Sequence, residues 1–466
     1  MRRKESIKRI IVLSLSLVGL LLQTGVYAYS WFEYYAPIID NLGNGIRLYY
    51  NGHILLMGIY FILLSVFSRT YGSLKIGYLK PFDVFFSQIF SLLAVNIVSY
   101  FQMSLMNVGL ISVYPLLVVF ALQLVIVAMM TYFNNWVYRR LFPPRKMLLV
   151  YGERPIEDIL DKFSSRKDRY KIAKCVNISE GIEAIMAEIT SSYGAVVLWD
   201  ISTHDRNRLL KFCYSRSIRV YLMPKIPDVL IKGSDQMHLF DTPIFLTREY
   251  ALTVEQRLIK RLIDLTFSAL LLVITSPIML LTAVAIRGYD RGPAFYKQVR
   301  CTAGGKEFQI LKFRSMRVDA EKDGVARLAT QNDDRITPIG RFIRMVRIDE
   351  LPQLFNILKG EMSFIGPRPE RPEIIAQYLE EIPEFVFRMK MKAGLAGYAQ
   401  VYGKYNTTPY DKLKLDLSYI ENYTIWLDLK LMLLTMKILF KPESTEGIGE
   451  EQVTAIKNEE QENHDQ

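Results

Sequence analysis

The sequence predicts a membrane protein of three parts: a membrane α-helical bundle, an α/β Rossmann-like domain, and an α+β domain that begins with a re-entrant membrane helix. Three observations predict this architecture. Long hydrophobic runs dominate the first 140 residues, short apolar strands then alternate with helical patterns, and a further apolar stretch precedes a polar region rich in arginine. The 466 residues are enough for two or three such domains.

Composition narrows the classes of partner. Half of the residues are apolar, and the formal net charge is +11. A basic balance suits nucleic acid, an anionic membrane surface or phosphorylated substrates. The hydrophobic runs favour the membrane, so we expect no nucleic-acid partner. The cysteines and histidines are scattered, so neither a disulfide framework nor a zinc site is expected, and a cytosolic location for the soluble part is reasonable. These residues are Cys175, Cys213, Cys301, His53, His204, His238 and His464.

The helical bundle is predicted within residues 1–140, and each of its four spans is near the roughly 20 residues that cross a bilayer. The first run is too long for a signal peptide. Basic residues precede the first span, separate the second from the third and follow the fourth, so the positive-inside rule places both ends of the bundle in the cytoplasm. The helices are either only an anchor, or they recruit lipid or form a dimer surface. The spans are predicted at 8–30, 50–68, 82–106 and 109–134.

Residues 146–250 are predicted to form the α/β domain. Apolar strands at 147–152, 195–199 and 219–223 alternate with helical patterns, which is typical of a parallel, Rossmann-like sheet. The dinucleotide fingerprint is missing, because only Gly152 stands where two or three glycines are needed. We therefore favour a structural or regulatory module over a nucleotide site.

A fifth apolar stretch, at about 261–286, has basic residues at both flanks. Its length permits a full span, but the two basic flanks belong on one side of the membrane. Pro277 removes a backbone donor and bends a helix, and Ser276 can satisfy the backbone groups that are freed. We favour a helix that enters one leaflet, bends and returns; the alternative is a kinked full span.

Two adjacent carboxylates, Asp349 and Glu350, follow a segment that contains Arg344 and Arg347. Such a group suits the handling of a phosphate, because the acids can attack it or hold a metal and the guanidinium groups neutralise its oxygens.

Helical periodicity covers Thr337–Val346, and a second helix is predicted to begin at Asp349 and to stop at Gly360, with Pro352 in its first turn. Asp349 is then a helix N-cap, an active-site carboxylate, or both, because the positive end of a helix stabilises anions. Glu350 either interacts only with the helix dipole or shares a metal or a proton with its neighbour.

Other basic residues complete a candidate phosphate-binding set. Lys312 and Arg314 alternate in a predicted strand and so share one face; each alone is typical of a solvated charge. Arg368 lies between two prolines, which present it rigidly for bidentate recognition of phosphate, unless the loop merely ends a segment. Lys392 precedes a glycine-containing turn that suits close approach to a phosphate or nucleoside. Asp416 lies in a predicted helix and is assigned to the surface by default.

With these residues in view, segment 254–442 resembles the bacterial polyprenyl-phosphate hexose-1-phosphate transferases, monotopic sugar transferases that initiate glycan assembly. The four spans and the Rossmann-like domain are similar to the larger members, which start capsule, O-antigen or exopolysaccharide repeat units. The matching motifs, in chain order, are Lys260-Arg261-Leu262-Ile263-Asp264, Ser276-Pro277, Lys312-Phe313-Arg314-Ser315-Met316, Asp349-Glu350-Leu351-Pro352-Gln353-Leu354 and Gly366-Pro367-Arg368-Pro369.

The resemblance implies a monotopic catalytic domain that transfers a hexose-1-phosphate from a UDP-sugar to polyprenyl (undecaprenyl) phosphate and releases UMP. Asp349 would attack the β-phosphorus and carry the sugar phosphate, and Glu350 would assist as a base or, with Asp349, as a ligand of Mg²⁺. The family's Arg-Pro-Gly-x-Thr-Gly-Trp is replaced by Lys392-Ala393-Gly394-Leu395-Ala396-Gly397-Tyr398, which loses the planar fork of arginine. The substrate phosphates would be bound by Lys312, Arg314, Arg344, Arg347, Arg368 and Lys392.

The resemblance also implies a multi-pass protein of the bacterial inner (cytoplasmic) membrane, with the catalytic domain facing the cytoplasm. Its partners would be the UDP-sugar, polyprenyl phosphate and the bilayer, and the bundle and the middle domain offer surfaces for a homodimer. Two rival functions remain: a glycosyltransferase that releases UDP, and a non-catalytic membrane scaffold for polysaccharide assembly. The acidic tail at 445–466 is predicted to be disordered.

Overall fold

The computed structural model of the chain describes residues 2–40, 50–247, 251–318, 335–403 and 407–438. The predicted acidic tail lies outside the described residues. The chain divides into two compact units, Met1–Met223 and Pro224–Gln466. The described part is mostly helical, and it contains five helices long and apolar enough to cross a membrane together with a parallel-sheet α/β domain. This is the architecture of a membrane protein.

The first unit begins with the predicted helical bundle. All four predicted spans fall on long helices, but the fourth begins at Tyr114 rather than 109, because Pro115 is tolerated only in the first turn of a helix. Polar side chains between the helices bond to one another, since lipid offers them no partner: Gln123 donates to the Tyr60 hydroxyl and accepts from Asn96. The helices are α1 (Arg2–Ser30), α2 (Ala36–Asp40), α3 (Tyr50–Tyr71), α4 (Pro81–Met106) and α5 (Tyr114–Leu141).

A four-stranded parallel sheet follows in the same unit, with strand order β2-β1-β3-β4, and it confirms the predicted parallel sheet. Strand β2 was not predicted. A Cβ on Gly152 would lie 2.0 Å from the carbonyl oxygen of Asp200, so this glycine permits close packing of two strand ends. The elements are β1 (Arg145–Tyr151), α6 (Glu157–Ser164), β2 (Tyr170–Asn177), α7 (Ile182–Ser192), β3 (Ala195–Trp199), α8 (Thr203–Ser215) and β4 (Arg219–Leu222).

The second unit packs short helices and two-stranded sheets around one core, in which α9, α12, β9 and α15 contribute buried apolar side chains. Helix α9 belongs to this core, so the predicted 146–250 domain extends across the division between the units. The elements are α9 (Ile226–Gly233), β5 (Asp235–Leu239), β6 (Thr242–Leu246), α10 (Val254–Asp290), β7 (Phe295–Cys301), β8 (Glu307–Phe313), α11 (Pro338–Met345), α12 (Gln353–Lys359), β9 (Ser363–Ile365), α13 (Pro372–Glu381), β10 (Gly394–Ala396), α14 (Tyr398–Tyr402), α15 (Pro409–Glu421) and α16 (Ile425–Ile438).

Helix α10 is the fifth candidate membrane helix, and it is helical throughout its 37 residues. Thr253 and Gln256 form a capping box at its start. The central part exposes large apolar side chains to an extent that water would not favour, which is expected of a lipid-facing surface. The exposed residues include Leu270, Val273, Leu280, Leu281 and Val284.

Candidate active site

The acidic pair lies in a short 3-10 turn, Ile348–Glu350, between α11 and α12. Arg347, which precedes the turn, has φ 59°, a left-handed conformation that costs energy for a residue other than glycine and that is frequent at functional sites. The helix predicted to begin at Asp349 begins instead at Gln353, with Pro352 in the N-cap position. The assignment of Asp349 as a helix cap is therefore wrong, and its carboxylate stays available.

Three cations face one oxygen of Glu350. Its Oε1 lies 3.3 Å from Lys312 Nζ, 3.4 Å from Arg368 Nη2 and 3.9 Å from Arg347 Nη1. Burial alone would raise the pKa of Glu350, but Lys312, Arg368 and Arg347 outweigh burial and lower that pKa to about 2. At neutral pH Glu350 is therefore an anion, and it holds the surrounding cations close together.

Asp349 has a different environment, although it is the next residue. Its side chain is buried, and among the described residues its Oδ1 has no hydrogen-bond partner. Burial and then the charge of Glu350 raise the pKa of Asp349 to about 6. Divergent pKa values of two adjacent carboxyl groups are typical of sites in which the two acids have different roles.

The pH dependence of any reaction that needs the Asp349 carboxylate follows from this shift. Because the raised pKa means that the group is protonated below about pH 6 and ionised above it, the rate should rise as the pH passes upward through about 6 and then level off. A rapid-quench assay of product release between pH 4.5 and 8 measures this rise in rate with pH. A rate that is flat across this range would contradict an essential Asp349 anion.

Asn356 holds the strand that carries Lys312 against the acidic turn. Its Oδ1 accepts from the backbone N–H of Leu311 at 3.0 Å, and its Nδ2 donates to the carbonyl of Gln309 at 2.8 Å. Asn356 lies in α12 and is buried. The amide thus joins β8 to the helix that follows the acidic pair, and it fixes the position of Lys312 relative to Glu350.

Two arginines, the buried Arg388 and the half-buried Arg300, fix the loop that presents Arg368. Arg388 Nη2 donates to the carbonyl of Arg368 at 2.9 Å, and Arg300 Nη1 donates to the carbonyl of Pro369 at 3.1 Å. Arg388 also pairs with Asp416 at 2.8 Å. Asp416 was predicted at the surface; that prediction is wrong, because only 1% of this residue is exposed. Neither arginine is predicted from the sequence, because both come from segments distant from the Arg368 loop.

The structure does not bring every predicted phosphate ligand to Glu350. The Arg314 guanidinium pairs with Asp290 at the end of α10. Arg344 lies close enough for its charge to lower the pKa of Asp349, but its Nη1 is buried and has no partner among the described residues. The predicted phosphate ligands therefore form two groups, one that contacts Glu350 and one that does not.

Lys392 lies in different surroundings. Burial lowers its pKa, and the charged neighbours that also act on that pKa all lie near the start of α10: Arg261, Asp264, Lys260 and Arg257. Among the described residues no hydrogen bond or ion pair joins the Lys392 side chain to the acidic pair. Its predicted role in binding a substrate phosphate remains a prediction.

The start of α10 is anchored by a buried network. Lys260 Nζ donates to the carbonyl of Ile365 at 2.9 Å and to Asp428 Oδ2 at 2.6 Å. Asp264 Oδ1 accepts from Ser363 Oγ and from the Phe364 N–H, each at 3.0 Å. These bonds fix strand β9, which leads directly into the loop of Arg368, so the helix holds the site in place.

Lys260→Met should lower the free energy of unfolding by about 3–5 kcal/mol, because it leaves Asp428 as an uncompensated buried charge. Thermal unfolding in detergent, followed by tryptophan fluorescence, measures the loss. Arg257→Met, an exposed position one turn earlier, is the matched control and should be neutral. Equal melting temperatures for the two variants would show that the network does not stabilise the domain.

Pro277 lies inside α10, and Ser276 compensates for the donor that proline lacks. The carbonyl of Val273, four residues before Pro277, would normally accept from the backbone at that position. Ser276 Oγ donates to it instead at 2.8 Å. The local chemistry therefore supports proline within a helix in an apolar environment.

The acidic pair suits Mg²⁺ only with a phosphate-bearing ligand. Within the described ranges, no cluster of three or more His, Cys, Asp or Glu residues is arranged to hold a metal ion. Mg²⁺ is, however, often bound by one or two carboxylates while substrate phosphates and water complete its shell. Asp349 offers a buried free oxygen, and the neighbouring Glu350 is ionised at neutral pH.

Comparison with known proteins places this site in a family. Residues 255–442 match the family model described as bacterial sugar transferase. A UDP-glucose:undecaprenyl-phosphate glucose-1-phosphate transferase of Caulobacter vibrioides is 40% identical over 190 residues, which cover 40% of this chain and 71% of that protein. The chain belongs to the bacterial sugar transferase family. Every candidate site residue lies within the matched segment.

Other bacterial sugar transferases match over a smaller share of their length. A UDP-glucose:undecaprenyl-phosphate glucose-1-phosphate transferase of Klebsiella pneumoniae is 40% identical over 211 residues, or 44% of this chain and 43% of that protein. A UDP-N-acetylgalactosamine-undecaprenyl-phosphate N-acetylgalactosaminephosphotransferase of Aeromonas hydrophila is 36% identical over 243 residues, or 50% of this chain and 55% of that protein. The matched part of the chain thus spans about half the length of these two relatives. Their names specify different sugars, glucose and N-acetylgalactosamine.

Proposed function

We propose that this protein transfers a hexose-1-phosphate from a UDP-sugar to polyprenyl phosphate, with release of UMP, as the first membrane step of exopolysaccharide, capsule or O-antigen synthesis. The observation that carries the proposal is the contrast within the acidic pair. Asp349 has a free buried oxygen, while the neighbouring Glu350 anion is held by three cations. The names of the relatives support the two substrates.

In the first half-reaction Asp349 is the nucleophile. Its Oδ1 attacks the β-phosphorus of the UDP-sugar, the bond from that phosphorus to the bridging oxygen breaks, and UMP leaves with the bonding electrons. The sugar phosphate stays on Asp349 as an acyl phosphate. Lys312, Arg347 and Arg368 are placed to neutralise the phosphoryl oxygens during this step.

In the second half-reaction an oxygen of polyprenyl phosphate attacks the same phosphorus. The phosphorus–Asp349 bond breaks, the carboxylate is regenerated, and a polyprenyl diphosphate sugar is formed. Lys312, Arg368 and Arg347 lower the pKa of Glu350 and so favour its anionic form, and we assign it the role of orienting these cations. Bound Mg²⁺, held by Asp349 and Glu350, would supply further neutralisation of the phosphate charge.

The same proposal includes a bend in α10 that keeps the catalytic domain on one side of the bilayer. Arg261 donates to backbone carbonyls at the end of α12, and Asp290 pairs with Arg314. A straight helix would separate residues 261 and 290 by about 43 Å. Their contact sites are closer than that, since Asn356 of α12 bonds to Leu311, three residues before Arg314. Both ends are thus tied to one compact domain while the apolar middle is exposed, which supports a re-entrant helix bent at Pro277.

The proposed orientation follows from the same helix. A re-entrant α10 leaves the catalytic domain on the side of the membrane where the bundle begins and ends, and the basic flanks of the bundle favour the cytoplasm. The location proposed is thus the bacterial inner membrane, with the acidic pair at the level of the lipid headgroups.

The nucleotide that is released tests the proposed reaction. Membrane-embedded protein is incubated with undecaprenyl phosphate, Mg²⁺ and, in turn, UDP-glucose, UDP-galactose, UDP-N-acetylglucosamine and UDP-N-acetylgalactosamine. At least one donor should yield UMP and a lipid-linked sugar diphosphate. Glu373→Gln, which removes an exposed acid of α13, should behave as the unaltered enzyme. Release of UDP would indicate a glycosyltransferase, and no release from any donor would favour the scaffold.

A further inference from the structure

The first unit brings arginines together where its sheet meets its helical bundle. The four strands are parallel, so their amino ends lie at one edge of the sheet. Helix α5 ends at Leu141 and β1 begins at Arg145, so this edge starts within about 15 Å of the end of a membrane helix. Arg219 begins β4 at the same edge, and Arg169 immediately precedes β2.

The register of the sheet places two of these arginines on one face. Arg145 pairs with Tyr170 of β2, and Arg219 lies in the same register as Met147, two strands away. Paired residues of neighbouring strands share a face, as do alternate residues of one strand, so Arg145, Met147 and Arg219 project to the same side. Tyr170 and Tyr221 form an edge-to-face pair on that side, with ring centroids 5.8 Å apart.

The third arginine joins this face to the loop between α3 and α4, residues 72–80. Arg169 Cζ lies 4.4 Å from the ring centroid of Tyr78 and 5.1 Å from that of Tyr170, and the guanidinium donates to the Tyr78 carbonyl at 3.3 Å. Lys75 Nζ lies 5.6 Å from the Tyr78 centroid. The sheet edge and the loop thus form one surface of cations and aromatic rings. We call it the edge cluster, and its members are Lys75, Tyr78, Arg145, Arg169, Tyr170 and Arg219.

The positive charges of the edge cluster repel one another. Burial lowers the pKa of Arg145, and the nearby charges of Arg219 and Arg169 also lower it. Asp168, an acid in the same region, is bound by Arg166 at 2.9 Å. Like charges held this close are stabilised by an anion that lies among them. At a cytoplasmic membrane surface, anionic lipid headgroups are the anions that the bilayer itself supplies.

The edge cluster also has the side chains that suit a lipid headgroup. Guanidinium groups bind phosphate oxygens with paired N–H donors, and tyrosine rings are typical of the headgroup level of a membrane. Tyr78 and Arg219 are exposed, and Arg145 and Arg169 are half-buried. The positive-inside rule accounts for Lys75 in a loop between membrane helices, but it does not account for Arg219, which belongs to the last strand of a folded domain.

We propose that the edge cluster binds the phosphodiester headgroup of an anionic phospholipid, so that the α/β domain rests on the membrane by the amino edge of its sheet. A choline headgroup is a poorer ligand, because its own cation adds to the repulsion among the arginines. The carboxyl edge of the sheet, where Gly152 and Asp200 meet, then faces away from the bilayer. The proposal concerns the first unit alone and is independent of the transferase reaction.

Titration with short-chain lipids tests the proposal on the full-length protein in detergent. The probes are dihexanoyl phosphatidylglycerol, dihexanoyl phosphatidylcholine and inorganic phosphate, and the shift in melting temperature with probe concentration gives an apparent affinity. The test variants are Arg145→Gln with Arg219→Gln, and the charge-preserving Arg145→Lys with Arg219→Lys. The matched control is Arg154→Gln with Arg208→Gln, which removes two exposed charges that lie away from the amino edge.

Phosphatidylglycerol should stabilise the unaltered protein, phosphatidylcholine should not, and added salt should weaken the effect. The double glutamine variant should bind phosphatidylglycerol about 25-fold more weakly, since each basic residue near a membrane surface contributes a factor of about five. The double lysine variant should stay within about threefold of the unaltered protein, and the control should match it.

Equal affinity of the double glutamine variant and the unaltered protein for phosphatidylglycerol would overturn the proposal. Equal stabilisation by inorganic phosphate at the same concentrations would also overturn it, because the ligand would then be a free anion. If the double glutamine variant does not fold, Arg219→Gln alone decides, since this position is exposed. It should weaken phosphatidylglycerol binding by about fivefold, and an unchanged affinity would refute the proposal.

Discussion

Asp349→Asn should abolish UMP release and adduct formation together, by about 10⁴-fold or more, the scale seen when a catalytic nucleophile is removed. The amide keeps the size of the side chain but is a very poor nucleophile toward phosphorus. Because Oδ1 has no partner among the described residues, the substitution removes no hydrogen bond from that oxygen. The folded structure should therefore survive.

The measurement is UMP release under single-turnover conditions, with the melting temperature recorded for each variant. Glu373→Gln is the matched control, because it also replaces an acid by its amide within the catalytic domain. If Asp349→Asn kept a tenth of the rate while the control was normal, the nucleophile would have to be another group.

Arg388→Met should have the second largest effect, because it acts on both stability and activity. Asp416 would be left as a buried charge without its partner, which costs about 3–5 kcal/mol. The carbonyl of Arg368 would also lose its donor, so the guanidinium of that residue would no longer be held toward Glu350. We expect a lower melting temperature and a loss of donor turnover of about 10- to 100-fold.

A double variant separates these two effects. Arg388→Met with Asp416→Leu removes the uncompensated charge and should recover much of the stability, since an apolar pair often replaces a buried ion pair without loss. It restores no donor to the carbonyl of Arg368, so turnover should stay low. Recovery of full turnover with stability would mean that Arg388 acts only through folding.

The parts of the fold that the sequence predicts are those with strong local patterns. The membrane helices follow from long apolar runs, and the central strands of the sheet from short, fully buried ones. Strand β2 was missed because it lies at the edge of the sheet, where Lys171 and Lys174 interrupt the apolar pattern. Edge strands have one solvated side, so local hydrophobicity marks them weakly.

The site is predictable where residues are adjacent and not where tertiary structure joins them. Asp349 and Glu350 stand out as neighbours, but the lowered pKa of Glu350 depends on cations from three separate segments, and the raised pKa of Asp349 depends on burial. Asn356 and Arg388 carry no local signal at all, since their roles consist of bonds to residues 20 or more positions away. The buried position of Asp416 likewise follows from its pairing with Arg388, which no periodicity reveals.

The covalent state of Asp349 during turnover is the most direct test of its role as the nucleophile. Unaltered enzyme is quenched with acid after incubation with the best UDP-sugar and without lipid acceptor, and its intact mass and proteolytic fragments are measured. We expect a mass increase of one hexose phosphate, located on the fragment that contains Asp349 and lost when undecaprenyl phosphate is added. Stoichiometric UMP release with no adduct at any time point, or an adduct on another residue, would contradict it.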